Sequence, residues 1–260
     1  MFPRKLLFGF LVTFSALVFL MATSSQAAPR PVVNDSFRIV IDPGHGGSNE
    51  GCLGHDGELH EKEITLRIAQ ELRAQLRADL PHAEVVLTRE ADVTMTLAQR
   101  VAFANEQQAD LFLSIHANAS PEKNQSGFES YVLDLEASNF ESARTAQREN
   151  DEGFAVPQSA DPVAAMVREL ALTHHRTQAA RFASLLQRMH GHSFPQRVDR
   201  GVRTAPFDVL MGARVPAVLH EVGFLDHAEE GQVIASQSGV QGLAAAMSQA
   251  VVEYYRARER

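Results

Sequence analysis

With 260 residues, 45% of them hydrophobic and 22% charged, the chain is long enough for one sizeable domain with a complete core. A formal net charge of −8 gives no electrostatic pull toward nucleic acid or anionic lipid, so neither is expected as a partner. A single cysteine, Cys52, excludes an internal disulfide and leaves stability to the core or to a bound metal.

The chain opens with Arg4 and Lys5, an apolar run from Leu6 to about Ala22, and the small polar stretch Thr23-Ser24-Ser25-Gln26-Ala27-Ala28. This pattern is that of a secretory signal peptide over 1–27, cut after Ala27 and followed by a short tail over 28–36. A retained membrane anchor is the alternative, but Thr13 and Ser15 dilute the run and a small-residue cut site follows it. Removing Arg4 and Lys5 takes the net charge from −8 to −10 and leaves no stable membrane insertion.

Residues 37–41 form a β-branched strand that stops at Asp42-Pro43-Gly44-His45-Gly46-Gly47, where glycines demand a tight turn. A Gly-rich loop leads to a helix over 61–80, with Ile64, Ile68, Leu72, Leu76 and Leu80 on one face. Further strands are expected at 84–88, 110–115 and 128–133, with a helix at 97–105. Residues from 136 to about 188 read as helical, broken by Gly153, Pro157 and Pro162. Strands at 202–210 and 215–222 and a helix from about 240 to 256 complete the pattern. The alternation predicts one α/β domain over 37–256: a mostly parallel twisted sheet with helices on both faces and a helical insertion at about 136–188.

Polar residues lie where strands end. His45 follows the first strand, His116 follows the third, and Glu221 ends the last; ligands of open α/β sheets bind at such carboxyl ends. Glu61, in the first turn of its helix, can join them across the Gly-rich loop. Two His and one carboxylate form a catalytic zinc set with one position open, and a further Glu can act as general base. The H-E-x-x-H pattern is absent, since His60-Glu61 and His220-Glu221 each lack the second His. On spacing alone, buried structural histidines remain the alternative.

Five segments settle the reading in order along the chain: Ile41-Asp42-Pro43-Gly44-His45-Gly46-Gly47, Glu61-Lys62, Leu87-Thr88-Arg89, Ser114-Ile115-His116-Ala117-Asn118-Ala119, and Leu219-His220-Glu221-Val222-Gly223-Phe224. With them the chain resembles the zinc-dependent N-acetylmuramoyl-L-alanine amidases of the cell-separation and sporulation type, from about Phe37 to Tyr255. The resemblance implies one zinc ion held by His45, Glu61 and His116, with Glu221 as catalytic glutamate. It implies an exported enzyme, periplasmic or wall-associated, that acts on peptidoglycan in wall remodelling, septum splitting or lysis. His220 stands where this family usually has Val, and Val222 where it often has Thr; strand alternation turns His220 away from Glu221.

Other titratable residues compete for these roles. His55 and His60 read as solvated loop histidines, and Glu63 is the alternative to Glu61. His174, His175, His190 and His192 read as surface residues. Arg89 and Arg100 either orient a carboxylate or pair with surface acids, and Asp42 and Asn118 either support a ligand or form turns. The insertion at about 136–188 is longer than a crossover needs. Similar insertions in the cell-separation branch place a helix over the active site until a LytM-type activator displaces it. Arg148-Glu149-Asn150 resembles the Glu-Asn of that helix, so Glu149 is the candidate inhibitory zinc contact. Asp151 and Glu152 are adjacent alternatives, and a solvated acidic helix end is the plainer one. Rival functions are a zinc peptidase acting within the stem peptide and a non-catalytic wall-binding module.

Overall fold

Ile39, Val40 and Ile41 have no solvent exposure, which is what a β-branched strand covered on both faces requires. A computed structural model describes residues 37–150 and 162–258, with the side chains of 162–172 left aside. The expected signal peptide over 1–27, the tail over 28–36, and Asp151, Glu152, Gly153 and Pro157 lie outside the described residues.

The first strand is β1 (Arg38–Pro43), and the elements that follow are α1 (Glu61–Asp79), β2 (Glu84–Leu87), α2 (Leu97–Glu106), β3 (Leu111–Asn118), β4 (Phe128–Leu133), α3 (Phe140–Glu149), α4 (Pro162–Ser193), β5 (Asp199–Ala205), β6 (Ala217–Phe224), α5 (Ala228–Ala235) and α6 (Gln237–Arg258). The six strands form one sheet in the order β2-β1-β3-β6-β4-β5. All neighbouring pairs are parallel except β4 and β6, which run antiparallel. The α/β expectation of a mostly parallel sheet therefore holds.

Two apolar layers flank the sheet. On one face α1, α4 and α6 bury Ile64, Ile68, Leu72, Phe182, Leu186, Leu243 and Met247 against Ile39, Ile41, Leu113 and Val218. On the other, α2 and α3 contribute Ala104 and Ala146 against Val40, Phe112, Tyr131 and Leu219. The apolar spacing of α1 places Ile64, Ile68, Leu72 and Leu76 at zero exposure. Its start is fixed by the Glu63 carboxylate, which accepts the His60 N–H at 3.2 Å.

Three differences from the sequence reading have local causes. The strand expected at 202–210 is β5 at Asp199–Ala205, because Pro206 has no N–H to continue the ladder. The helical stretch from 136 to about 188 divides into α3 and α4, and α4 belongs to the core: Ala179, Phe182, Ala183 and Leu186 are all buried against the sheet. The eight-residue α5 is too short to show a convincing period in sequence.

Candidate metal centre

The turn after β1 is built by two buried arginines. Arg100 pairs with Asp42 at 2.8 Å and donates to the Pro43 carbonyl at 2.8 Å and the His45 carbonyl at 2.5 Å. Arg89 donates to the Pro43 carbonyl at 3.0 Å and to the Gly44 and Lys62 carbonyls at 2.8 Å each. Neither pairs with a surface acid; they secure three successive carbonyls that face inward at a strand end. Burial and the neighbouring Arg100 charge pull the Arg89 pKa down to about 10. Within this brace His45 takes φ 60°, a left-handed conformation that the surrounding bonds must hold.

His45, Glu61, His116 and Glu149 come together, each offering one ligand atom, with all four atoms within 4.8 Å of one another. His45 Nε2 lies 3.0 Å from Glu61 Oε2 and 3.2 Å from Glu149 Oε2. His116 Nδ1 lies 3.2 Å from Glu61 Oε1 and 3.1 Å from Glu149 Oε2. Two backbone N–H groups fix the Glu61 carboxylate, that of Ala117 at 2.9 Å and that of Cys52 at 3.0 Å. The loop closes tightly here: at Gly51, φ +66°, an added Cβ would lie 2.6 Å from Glu61 Oε2.

The donor set fits a metal ion. His45 Nε2 and Glu149 Oε2 are buried and make no hydrogen bond, despite their short separation. Both atoms face a common space that a cation would fill. Nδ1 of His45 lies 2.9 Å from Oδ1 of Asn49, so an N–H at Nδ1 leaves Nε2 free to ligate. Two imidazole nitrogens and two carboxylates are donors suited to zinc. Burial opposes charge on both imidazoles, yet Glu61 and Glu149 outweigh it: His45 is raised well above its usual range and His116 to about 9. Glu61 in turn is held well below the usual carboxylate range, its burial overcome by His45 and His116. Such mutual dependence is what an acid–base cluster shows where a cation belongs.

Glu221 stands beside this cluster without joining it. It is paired with His116 in the β3–β6 register and with Glu129 across β4. It is only 1% exposed, and neither carboxylate oxygen has a hydrogen-bond partner. Burial, then the Glu149 charge, pushes its pKa well above the ordinary value. A carboxyl group tuned upward beside a candidate metal site has the character of a general base that later acts as acid.

Several side chains fall elsewhere than the sequence suggested. His190 is not a surface residue: it is 1% exposed, stacked on Phe128 at 3.8 Å between ring centroids, with Nδ1 3.0 Å from Nε2 of His220. His220 faces away from Glu221, toward α4, with Nδ1 2.9 Å from Ser130 Oγ. Asp42 touches no histidine; it accepts from Arg100, Thr88 and Ser114. Asn118 donates to Glu129 at 2.8 Å and accepts from Arg148 at 2.5 Å. Asn49 was missed, and its signal was its place four residues after His45 in the same Gly-rich turn. A cleft of about 470 Å³ borders the cluster, lined by His45, Asn49, Cys52, Glu61, Arg148 and Glu149. A larger cavity of about 750 Å³, between α4 and α6, includes Asp110, Arg181, Arg214 and Glu253 among its lining, at the amino ends of β3 and β6 and so at the opposite strand ends from these groups.

A mostly parallel α/β sheet with convergent His and Glu donors at its strand ends, and an unpaired carboxylate beside them, defines a hydrolase-type site. The chain belongs to the N-acetylmuramoyl-L-alanine amidase family Amidase_3, whose family model matches residues 39–253. It is 31% identical over 226 residues to the N-acetylmuramoyl-L-alanine amidase LytC of Bacillus subtilis, covering 87% of this chain and 36% of LytC. It is 27% identical to AmiA of Escherichia coli, covering 91% of this chain and 82% of AmiA. Among solved structures, an N-acetylmuramoyl-L-alanine amidase from Clostridium difficile 630 superposes with a TM-score of 0.66 at 26% identity, over 86% of this chain and 98% of that one. The catalytic domain of CwlV from Bacillus (Paenibacillus) polymyxa does so with a TM-score of 0.63 at 27% identity, over 84% and 98% of the two chains. This chain thus spans about a third of the length of LytC.

Proposed function

We propose that this chain is an exported, zinc-dependent amidase that cuts peptidoglycan between the lactyl carbonyl of N-acetylmuramic acid and L-Ala. The observation that carries this reading is the unpaired, buried Glu221 set beside the His45–Glu61–His116 cluster. These three residues are the protein ligands, and zinc bound to them supplies Lewis acidity and a water pKa lowered toward ~7. Glu221 removes a proton from the attacking water and delivers it to the departing L-Ala nitrogen. Arg89 and Arg100 hold His45 in place through the backbone. A binding module would have no need for a buried, upward-tuned Glu221.

Glu149 is the fourth member of the cluster and sits on α3, so the same geometry supports a resting state in which α3 covers the metal. A LytM-type activator is the partner this reading calls for, and the periplasm or cell wall is the compartment. No helix among the described residues is long and apolar enough to cross a membrane. Metal analysis of the purified chain, joined to mass spectrometry of digested peptidoglycan, tests the proposal. Stoichiometric zinc and newly exposed L-Ala amines are expected. A new amine on any other stem residue indicates a peptidase instead.

A further inference from the structure

Glu149 is not the only carboxylate that α3 presents to the body of the domain. Glu141, in its first turn, meets two arginines of β5: Arg200 Nη2 at 2.8 Å and Arg203 Nη1 at 3.4 Å from the same oxygen. Both guanidinia are largely buried, and both also reach Glu129 Oε2, from Arg200 Nε at 2.9 Å and from Arg203 Nε at 3.2 Å. Arg200 further donates to Gln125 Oε1 at 3.2 Å, and Arg203 to Asn139 Oδ1 at 3.4 Å. Glu129 is fixed on β4, opposite Glu221. Its other oxygen is occupied by Asn118 and Tyr131, both at 2.8 Å.

With α3 in place, two carboxylates balance two guanidinia. When α3 leaves, Glu141 leaves with it, Glu129 stays, and one positive charge remains uncompensated beside the catalytic Glu221. Arginine's planar donor fork suits a carboxylate at such a place. Glu149 lies eight helical steps beyond Glu141, a rise of about 12 Å. An extended peptide covers that distance in three to four residues. We propose that Arg200 and Arg203 form the subsite for a free carboxylate on the third or fourth residue of the stem peptide, and that α3 occupies both ends of the substrate site, Glu149 at the metal and Glu141 at the arginines. This inference rests on the lid reading of α3 and names the acidic peptide that replaces it.

The test uses the full chain carrying Glu141→Ala and Glu149→Ala, with and without Arg203→Gln. Arg203 is chosen because Arg200 keeps the buried Glu129 paired. The substrates are N-acetylmuramoyl tetrapeptide and the same compound with its carboxylates amidated. Arg203→Gln should lower the acid-to-amide ratio of kcat/KM on the order of tenfold, mainly through KM, the loss expected for one charge-assisted hydrogen bond. Arg203→Lys should restore part of that ratio. If turnover is too slow, equilibrium binding of the two compounds gives the same ratio. An unchanged ratio, or equal losses on both substrates, overturns the proposal. Failure of the lid reading shows separately, as no gain in absolute rate on removing Glu141 and Glu149.

Discussion

Oε2 of Glu149 lies 3.1 Å from Nδ1 of His116, so the last residue of α3 and the interior of β3 reach one point. The helix that carries Glu149 buries little apolar surface and is held mainly by polar contacts. Its buried residues are Ser142, Thr145 and Ala146, none of them large, while Phe140 is 75% exposed. Polar contacts finish the attachment at its far end, where Asn150 donates to the Pro206 carbonyl at 2.6 Å and accepts from Asp208 N–H at 2.9 Å. A segment with so few apolar contacts opens at low cost. Deleting roughly residues 137–155, or replacing Glu149 by Ala, is expected to raise basal hydrolysis of peptidoglycan without any activator, because the open state is otherwise a minor population. A folded, metal-loaded deletion variant that is no faster than the intact chain rules the lid out.

Replacing Glu221 by Gln keeps its volume and removes its basicity. Hydrolysis is expected to fall on the order of a hundredfold or more. Bound metal should stay unchanged, since Glu221 is outside the cluster of ligand atoms. Dye-release assays and metal analysis of the same preparation check both halves. Near-full activity, or loss of metal, assigns the wrong role.

Replacing His45, Glu61 or His116 by Ala should remove metal and activity together, each taking one of three proposed ligands. His55 and His60 supply the contrast. Nε2 of His55 lies 3.2 Å from the Gln232 side-chain nitrogen, and His60 precedes α1, where its backbone N–H donates to Glu63. His55→Ala is expected to leave both properties intact. His60→Ala should keep metal, activity and the helix start, because the bond to Glu63 comes from the backbone N–H of residue 60. Stoichiometric metal in His116→Ala would count against the ligand set.

The buried histidine pair makes a pH prediction. Burial, with the Arg197 charge, holds His220 down to about 3, and burial with His220 and Arg197 keeps His190 well below its usual value. Arg197 lies 2.9 Å from His190 Nε2, so the polar chain runs from Arg197 through His190 and His220 to Ser130. Both histidines stay neutral in the folded protein while the unfolded chain protonates them below about 6.5. Stability therefore declines as pH drops from about 6.5 toward 3, by about 1.4 kcal/mol per pH unit for each histidine at most. His220→Gln cannot titrate, so its melting temperature should vary less steeply across that range. Parallel profiles for the two proteins would refute the assignment.

Much of this was legible in the sequence, and the limits have physical reasons. Strand-end positions drew attention to His45 and His116, but spacing alone left buried structural histidines open, and the set of His45, Glu61 and His116 came from the resemblance of five segments to the amidase family. The apolar face of α1 was readable from its period. Arg89 and Arg100 were not assigned, because the acceptors they satisfy are backbone carbonyls, which leave no trace in side-chain order. His190 was misread because a helix that is broadly apolar gives no sharp division between inner and outer faces, and its partner His220 lies 30 residues away. Arg200 and Arg203 gave no signal, since their meaning depends on Glu129 and Glu141 arriving from two other elements.

The position of β6 in the sheet governs the order in which the molecule can assemble. Made after the other five strands, it inserts between β3 and β4, pairing Phe112 with Ala217 on one side and Val132 with Val218 on the other. Until it arrives, β3 and β4 are open edges, the kind that pair with neighbouring chains. Long-range pairings of this sort slow folding. A chain halted at residue 216 would contain every proposed zinc ligand yet lack Glu221, and its exposed edges should drive it to aggregate. Closure of the sheet and delivery of Glu221 to the metal cluster are thus one event.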